Sequence, residues 1–558
     1  MATSVNHLTS SGPVQGADRG SLGFRSPGAD SLPAVPKSDQ TRVSPPRPSA
    51  AVPVPLAEIA ELLGVAAVEG EPATGITHDS RAVRPGDLYV AFAGANHHGA
   101  AFAAQAAAAG AVALLTDPAG AEQAATALTG DLAVPVLVVA SPREFMGALA
   151  ARIYGDPSQA LLTIGITGTN GKTTTSYLIE GGLKGAARTP GVIGTVEMRV
   201  GSERIKSERT TPEATDLHAI LAVMRERGAD AVVMEVSSHA LVFGRADGVG
   251  YDVAVFNNLT PEHLDFHPDM EDYYRAKARL FEAGRSRAGV VNLDDAYGRR
   301  LAAEAAIPVS SFSATGAAEA DWRAVDVQLG PIGSTFRVLG PDGQAADAAV
   351  PLPGPFNVAN ALAAITALVT AGLPLAEVVA GVAAVPGVPG RLERVDAGQD
   401  FVAVVDYAHK PDALDAVLAS LREVTKGRLH VVVGCGGDRD PFKRAPMGRS
   451  AALLADTAVL TSDNPRSEDA LAILASMLVG ALEVPEAERG EVLLVPDRAA
   501  AIAAAVARAH AGDTILVAGK GHELGQYVKG EVRPFDDREV LREAIVRSHP
   551  QSRGVEQP

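Results

Sequence analysis

The feature that most constrains this chain is the segment GTNGKTT at residues 168–174, which is rich in glycine and threonine. It follows LLTIGIT, a β-branched apolar run from Leu161 that predicts a strand, and it precedes a helix-compatible segment at residues 177–184. A strand, a glycine-rich loop and a helix in this order are the setting of a phosphate-binding loop, because the glycines let backbone N–H groups turn toward phosphate oxygens. The segment therefore predicts an α/β unit that binds a nucleotide.

Each residue type in this loop suits that role. Lys172 is predicted to neutralise charge on the β- and γ-phosphates, and the Thr173 hydroxyl is predicted to bind Mg²⁺. The loop is a variant, because Ile166 stands where the pattern G-x-x-x-x-G-K-[ST] has its first glycine. The alternative is a glycine-rich turn with an incidental lysine. The other predicted loop contacts are Gly168, Thr169, Asn170, Gly171 and Thr174.

Short buried strands alternate with helical segments along most of the chain. After the loop come AVVMEV from Ala231, VAVFNN from Val253 and AGVVNL from Ala288, and this alternation predicts a mostly parallel sheet covered on both faces. The segment AAVPGVPGR at residues 383–391 predicts a linker to a further α/β unit with the strands FVAVVDY, LHVVVGC, TAVLTSD and TILVAG. An earlier unit contains the helix AEIAELLG, stopped by Gly64, and the strand DLYVAF.

Composition excludes several classes of protein. Ser, Pro and Gly supply 21 of the first 50 residues, which predicts a disordered tail without a secretory signal. A formal net charge of −17 argues against broad binding to nucleic acid or to an anionic membrane surface, and no transmembrane span is expected. The single cysteine, Cys435, rules out an intrachain disulfide and indicates a reducing, cytoplasmic location.

Many further blocks resemble the Mur ligases of peptidoglycan precursor synthesis. The resemblance runs from about Ala51 to about Val546, and the order of its blocks makes chance similarity very improbable. Within the family the pattern is similar to the MurE type, which adds the third amino acid of the stem peptide. The blocks are DSRAVRPGDLYVAFAG (79–94), TGTNGKTTT, MEVSSHAL (234–241), NNLTPEHLDFH (257–267), EDYYRAKARLF (271–281), PGPFNVANALAA (353–364), GRLERV (390–395), VDYAHKPDAL (405–414), GCGGDRDPFKR (434–444), SDNPRSED (462–469) and AGKGHELGQ (518–526).

The resemblance implies three α/β domains, with a P-loop ATPase-like parallel sheet in the centre and a Rossmann-like domain at the C-terminus. The expected boundaries are a tail at 1–50, a UDP-substrate domain at 51–158, an ATP domain at 159–389, an amino-acid domain at 390–548 and a flexible tail at 549–558. A monomer is expected.

The resemblance also implies where ATP and Mg²⁺ bind. Glu235 and His263 would join Thr173 as metal ligands, and Lys277 would become an N6-carboxylysine that helps to hold a second Mg²⁺. Taken alone, each of these residues has a simpler explanation, such as a solvated strand end, a surface histidine or an exposed lysine with a snorkelling stem. The implied nucleotide contacts are Asn292, Asn357, Asn360, Arg391 and Asp406, together with Tyr407 and His409, although Lys410 stands where the family usually has threonine.

For the acceptor substrate, UDP-MurNAc-L-Ala-D-Glu, the resemblance implies hydroxyl and arginine contacts. Hydroxyls and an arginine suit amides and carboxylates, whereas Ser and Thr in turns by default cap the local backbone. Phe243 stands where some relatives have glutamine, so one polar contact is expected to be lost or supplied elsewhere. The implied contacts are Ser80 with its neighbour Arg81, Thr210, Thr211, Ser237 and Arg245.

The last domain is expected to select the amino acid. The motif Asp463-Asn464-Pro465-Arg466 resembles the DNPR motif that accompanies meso-diaminopimelate, whose distal carboxylate a guanidinium can hold with two hydrogen bonds. An ordinary Asn-Pro turn is the alternative. The other residues of this implied site are Arg439, Gly519 and Glu523.

The resemblance thus implies an ATP- and Mg²⁺-dependent ligase that joins meso-diaminopimelate to the γ-carboxylate of D-Glu through an acyl phosphate. The nearest alternatives are a lysine-adding ligase of the same type and a folylpolyglutamate synthetase, and both the DNPR motif and the DSR-containing first domain argue against them. An alternative of another class is a P-loop ATPase or kinase that serves as a motor, switch or regulator.

Overall fold

The structure is a computed structural model that describes residues 46–94, 96–205 and 209–548. Nearly all of the predicted N-terminal tail and the whole of the predicted C-terminal tail lie outside the described residues. Residues 46–50 of the first tail are described, and there the Arg47 guanidinium pairs with the Asp87 carboxylate at 3.0 Å.

The first described region is a four-stranded parallel sheet with strand order β1-β2-β3-β4. Its strands are β1 (Gly75–Thr77), β2 (Asp87–Ala91), β3 (Ala113–Thr116) and β4 (Val136–Val138), and its helices are α1 (Leu56–Leu63), α2 (Ala103–Ala108), α3 (Pro118–Ala127) and α4 (Pro142–Ile153). Gly64 ends α1 in the left-handed region at φ 66°, as the sequence predicts.

The central region is built on an eleven-stranded sheet with the order β15-β14-β13-β12-β11-β10-β5-β9-β6-β7-β8. The seven strands from β13 to β6 in this order pair in parallel, and antiparallel strands extend the sheet at both ends. The strands are β5 (Leu162–Thr167), β6 (Pro190–Ile193), β7 (Met198–Val200), β8 (Glu203–Ile205), β9 (Ala231–Glu235), β10 (Tyr251–Phe256), β11 (Ser286–Asn292), β12 (Val309–Ser313), β13 (Trp322–Leu329), β14 (Ser334–Leu339) and β15 (Ala345–Val350).

Two hydrophobic cores cover the two faces of the parallel strands. Leu178 and Ile179 of the helix after the phosphate loop pack with Ile365 in one core, whereas Leu217 and Tyr273 belong to the other. Burial on both faces explains why these strands are continuous apolar runs rather than alternating ones. The helices are α5 (Lys172–Gly185), α6 (Ala214–Glu226), α7 (Ser238–Val242), α8 (Met270–Ala278), α9 (Ala296–Glu304), α10 (Pro355–Thr370) and α11 (Leu375–Ala383).

The last region is a six-stranded sheet with the order β16-β17-β21-β18-β19-β20, parallel except for β16. Its strands are β16 (Glu393–Arg394), β17 (Val402–Asp406), β18 (Leu429–Val433), β19 (Thr457–Leu460), β20 (Glu491–Leu494) and β21 (Thr514–Ala518), followed by the hairpin β22 (Gly525–Val528) and β23 (Glu531–Pro534). The helices are α12 (Pro411–Val424), α13 (Arg444–Leu454), α14 (Ala470–Glu483), α15 (Arg498–Val506) and α16 (Asp537–Ser548).

This architecture confirms the predicted α/β fold class with a central parallel sheet and a C-terminal sheet region. The antiparallel strands at the ends of the central sheet were not predicted, because β13 to β15 are partly exposed edge strands whose pattern carries little of the buried apolar signal. Within the described ranges, every helix is too short or too polar to cross a lipid bilayer.

Candidate active site

The strand order brings several predicted residues to one edge of the central sheet. Strands β11, β10, β5 and β9 are neighbours and parallel, so their carboxyl ends meet at the same edge. Asn292 ends β11, Glu235 ends β9, and Gly168 follows the end of β5. The crevice beyond this edge is where open parallel sheets bind their ligands.

The phosphate loop turns from β5 into α5 on two glycines. Gly168 has φ 146° and Gly171 has φ 83°, a region of backbone conformation that favours glycine. A Cβ atom at Gly171 would also lie 2.3 Å from Asn360 Oδ1. At the start of α5, the Lys172 ammonium donates to the carbonyl oxygens of Gly168 and Thr169, each at 2.9 Å. The Lys172 side chain therefore folds back over the loop, at the place where the phosphates of a nucleotide would lie.

Glu235 forms the base of the site beside this loop. Its side chain is buried, and its carboxylate accepts hydrogen bonds from the Thr173 hydroxyl (3.0 Å), the Thr195 N–H (2.9 Å) and the Thr195 hydroxyl (3.0 Å). A carboxylate and a hydroxyl within bonding distance are hard oxygen donors of the kind that Mg²⁺ prefers. The chemistry of Thr173 and Glu235 thus fits the predicted metal.

The backbone of His263 has φ 58°, and its ring centroid lies 4.8 Å from that of His239 and 6.1 Å from that of Tyr273. Burial lowers the pKa of His263 to about 4, and the positive charges of Lys172 and Lys277 add to this effect. The imidazole is therefore neutral near pH 7, the form that binds metals. No group of three or more His, Cys, Asp or Glu side chains in the described ranges is arranged to hold a metal. The predicted metal site therefore needs Thr173 and a modified Lys277 as ligands in addition to Glu235 and His263.

Lys277, on α8, is buried rather than exposed as its helix sequence suggests. Only 1% of the residue is accessible, its ammonium donates to the Gly168 carbonyl oxygen at 2.9 Å, and the Nζ atom lies 4.6 Å from the centroid of the Tyr273 ring. Burial and the charge of Lys172 hold the pKa of Lys277 well below its usual range. A buried amine of this kind favours its uncharged form.

The three predicted asparagines lie around the phosphate loop. Asn292 donates to the backbone oxygen of Asn257 at 2.9 Å. On α10, Asn357 accepts from Asn360 at 3.1 Å, and Asn360 accepts from the Thr175 hydroxyl on α5 at 3.3 Å. Asn357 and Asn360 therefore support the phosphate loop and the start of α5.

Of two predicted residues in the following region, Arg391 reaches the same loop and Asp406 supports the backbone beside Arg391. Arg391 donates to the Thr173 hydroxyl at 3.3 Å, and its guanidinium lies 4.6 Å from the centroid of the Tyr407 ring. Asp406, at the end of β17, accepts from the N–H groups of Leu392 and Ala408. Burial raises the pKa of Asp406, whereas the Arg391 charge opposes that rise. Asp406 therefore fixes the backbone directly after Arg391 and directly after Tyr407.

Lys410, the residue that departs from the family pattern, makes a contact of its own. Its ammonium pairs with the carboxylate of Glu262, the residue before His263. Burial lowers the pKa of Lys410 to about 8. The departure thus introduces an ion pair between the C-terminal region and the loop that carries His263.

The predicted acceptor residues divide into two groups. The Thr211 hydroxyl donates to the Glu235 backbone oxygen at 2.9 Å and accepts from the Ser237 N–H at 3.3 Å, and the Thr210 hydroxyl lies 3.0 Å from that of Thr195. These residues therefore adjoin the phosphate-loop site. Ser80 instead lies after β1 in the first region.

The predicted amino-acid site is a cluster at the carboxyl ends of β19 and β21. Asn464 donates to the Glu523 carboxylate at 2.8 Å, and a Cβ atom at Gly519 would lie 2.7 Å from the Asp463 carboxylate. Arg466 has φ 52° and donates to the Gly437 oxygen at 2.7 Å. Pro465 lies between Asn464 and Arg466, and Arg439 is exposed on the loop after β18.

Sequence reasoning missed one member of this cluster, Lys520. The side chain is fully buried, and its ammonium donates to Asn464 at 2.9 Å and to Glu523 at 3.1 Å. It therefore holds together the two residues that were predicted to bind the amino acid. Its position directly after the buried strand β21, within AGKGHE, is the signal that could have identified it.

Three family models match the chain in order. The Mur ligase family catalytic domain covers residues 72–154, the Mur ligase middle domain covers 166–368, and the Mur ligase glutamate ligase domain covers 390–521. The matches follow the three sheets in sequence and include the phosphate loop.

Two curated relatives and one solved structure with the same name illustrate the similarity. A UDP-N-acetylmuramoyl-L-alanyl-D-glutamate--2,6-diaminopimelate ligase of Streptomyces avermitilis is 67% identical over 90% of this chain and 99% of its own length. One of the same name from Corynebacterium glutamicum is 48% identical over 86% of this chain and 93% of its own length. A solved structure with this name is 32% identical, covers 89% of this chain and all of its own, and has a TM-score of 0.65. The chain belongs to the Mur ligase family.

Proposed function

We propose that this chain is the ATP-dependent ligase that adds meso-2,6-diaminopimelate to the γ-carboxylate of D-Glu in UDP-MurNAc-L-Ala-D-Glu, a step of peptidoglycan precursor synthesis. The observation that carries the proposal is the meeting of the phosphate loop, Glu235 and Arg391 at one sheet edge, in a chain 67% identical to a protein of that name. We infer a cytoplasmic monomer, with the uridine diphosphate of the acceptor held by residues 51–158, ATP by 159–389 and the amino acid by 390–548.

The reaction begins with ATP along the phosphate loop. An oxygen of the D-Glu γ-carboxylate attacks the γ-phosphorus in line, the bond to ADP breaks, and an acyl phosphate forms. The Lys172 ammonium, held 2.9 Å from two loop carbonyls, can move to the phosphate oxygens and stabilise the charge that develops there. Arg391, whose guanidinium donates to the Thr173 hydroxyl, can do the same.

Mg²⁺ would neutralise charge on the phosphates and orient them for transfer. Thr173 and Glu235 are the residues that would hold it, because their oxygens are already 3.0 Å apart and are hard donors. His263 would join them as a neutral imidazole. The Thr195 hydroxyl and N–H fix the orientation of the Glu235 carboxylate from the other side.

Carboxylation of Lys277 completes this proposed set. The uncharged Nζ amine attacks CO₂, a C–N bond forms, and one proton is released to give a carbamate that carries a negative charge. Burial and the nearby Lys172 charge favour the uncharged amine that this step requires. The carbamate would then pair with Lys172 and provide oxygen ligands, whereas the ammonium form is repelled by Lys172.

In the second half of the reaction, the amine of diaminopimelate attacks the acyl carbonyl, and inorganic phosphate leaves with formation of the amide. Glu523 can accept a hydrogen bond from an ammonium group of the amino acid, while Arg466 can hold its distal carboxylate. Lysine has no such carboxylate, so it would leave the guanidinium unpaired. Closure of the three regions would keep water away from the acyl phosphate.

The test supplies purified protein with ATP, Mg²⁺ and UDP-MurNAc-L-Ala-D-Glu, with diaminopimelate or lysine in separate reactions. We expect a tripeptide product, detected by mass spectrometry, with diaminopimelate, and phosphate release that requires both acceptor and amino acid. Phosphate release at full rate without amino acid would favour a P-loop ATPase, and a preference for lysine would contradict the assignment of Arg466.

A further inference from the structure

An arginine outside the predicted set lies between the two groups of acceptor residues. Arg143 is the second residue of α4, in the first region, and its guanidinium stacks between two phenyl rings. The distances to the ring centroids are 5.2 Å for Phe92, which follows β2, and 5.6 Å for Phe243, which follows α7. This side chain therefore bridges the region that contains Ser80 and the region that contains Thr211 and Arg245.

Arg143 belongs to a cluster with excess positive charge. The buried carboxylate of Glu213 accepts from Arg143 at 3.0 Å and from Arg245 at 2.8 Å, and it also pairs with Arg209. Arg143 and Arg245 alone thus bring two positive charges to one carboxylate, which gives this part of the cluster an excess of positive charge. In a chain with a formal charge of −17, such a concentration of arginine indicates a site for an anion.

The guanidinium of Arg143 is fixed but still accessible. Its Nε atom donates to the Phe243 backbone oxygen at 3.1 Å and one Nη2 hydrogen goes to Glu213, which leaves three of the five N–H donors for a ligand. The side chain is 35% exposed. A guanidinium that is held in place and still has N–H groups available on its exposed side is suited to bind a phosphate through two hydrogen bonds.

Phe243 stands where some relatives have glutamine, and in this structure its ring packs against two guanidinium groups. Its ring lies 5.3 Å from the Arg245 guanidinium as well as 5.6 Å from that of Arg143, so it supports both cations. Phe92 is in turn stacked on His78, at 6.2 Å and an interplanar angle of 16°. The ring layer thus holds the arginines in place without using their polar donors.

We infer that Arg143 binds the diphosphate of the acceptor substrate, an inference that rests on the proposed function. In the acceptor, the diphosphate connects the uridine to the muramyl dipeptide. Arg143 likewise lies between the first region, proposed for the uridine end, and the residues Thr211 and Arg245, proposed for the muramyl dipeptide. The carboxylates of D-Glu, by contrast, belong near Thr211 and the phosphate loop.

The experiment compares the binding of UDP and UMP to the full-length wild type and to Arg143→Gln by calorimetry. UMP lacks the β-phosphate, so the two ligands separate the diphosphate from the rest of the nucleotide. We expect the variant to bind UDP about 10- to 100-fold more weakly and UMP almost unchanged, because hydrogen bonds to charged groups contribute on this scale. Arg143→Lys, which keeps the charge but loses the fork, should fall between the two.

Kinetics provide the second readout. The acceptor KM of Arg143→Gln should rise by the same factor, while kcat and the KM values for ATP and diaminopimelate stay unchanged. The matched control is Arg152→Gln, which removes another ion-paired arginine from α4 and should leave all of these values as they are. An equal thermal midpoint for wild type and Arg143→Lys checks folding.

Unchanged UDP binding by Arg143→Gln would overturn the inference, as would an equal loss for UDP and UMP. If the wild type fails to bind UDP, the inference is also wrong. If the wild type binds UDP but forms no tripeptide, the proposed function fails while the role of Arg143 in holding a diphosphate is still decided by the binding data.

Discussion

Lys172 and Lys277 donate to the same acceptor, the carbonyl oxygen of Gly168, and each Nζ–O distance is 2.9 Å. Two ammonium groups that share one neutral carbonyl repel each other, and the charge of Lys172 indeed lowers the pKa of Lys277. Conversion of Lys277 to a carbamate would replace this repulsion with attraction. The arrangement therefore gives a physical reason for the proposed modification.

Lys277→Ala should lose ligase activity by about 100-fold or more, because it would remove the proposed carbamate that helps to hold Mg²⁺ beside the transferred phosphate. Acetate or another short carboxylate should restore part of this activity by occupying the space of the carbamate. The measurement is product formation at increasing acetate concentration. Lys184→Ala, which removes an exposed lysine from α5, is the control. Equal activity of Lys277→Ala with and without acetate would argue against carboxylation.

Arg466→Asn should lower kcat/KM for diaminopimelate by about 10- to 100-fold, because the distal carboxylate loses a charge-assisted partner. Activity with lysine should change little, so the ratio of the two kcat/KM values is the measurement. Arg449→Asn, at an exposed position on α13, controls for loss of positive charge in the same region. Parallel losses with both amino acids would remove Arg466 from the selection of substrate.

Asp537→Ala should destabilise the C-terminal region by about 3–5 kcal/mol, because it leaves a buried guanidinium unpaired. Asp537 and Arg498 form a fully buried ion pair at 2.7 Å, and Arg498 also donates to the Ala518 oxygen at the end of β21. Urea unfolding measures the change. Asp347→Ala breaks an exposed pair with Arg337 and should change stability by about 0–1 kcal/mol.

Stability should fall as the pH is lowered from about 6.5 toward 4. Burial lowers the pKa of His239, His263 and His522 to about 4, and it also lowers the pKa of the buried His218. Above pH 6.5 these residues are neutral in both folded and unfolded chains. Between 6.5 and 4 the unfolded chain binds protons that the folded chain does not, so the free energy of unfolding decreases.

Thermal unfolding at pH 7.5, 6.0 and 5.0 without nucleotide tests this expectation. The midpoint should be lower at pH 5.0 than at pH 7.5, with most of the change below about pH 6.5. A midpoint that stays constant or rises over this range would contradict the burial of neutral imidazoles. Carboxylates with lowered pKa values add their own loss only at lower pH, near their usual range.

The sequence by itself determined the strand, loop and helix of the phosphate site. β-branched apolar runs, glycines at the turn and helical spacing are local signals, and they identified β5, α5 and the parallel strands around them. The ordered blocks also identified the family. The inferences about fold class and family succeeded because local propensity and a fixed order of motifs do not depend on contacts between distant segments.

Only the tertiary structure decided which of these residues touch. It buried Lys277, which its helix sequence suggests to be exposed, and brought it to Gly168 across 109 positions of the chain. It also identified Lys520 as the buried link between Asn464 and Glu523, and Arg143 as the bridge between Phe92 and Phe243. Burial and charge pairing arise from the packing of separate segments, and a linear pattern carries no measure of either.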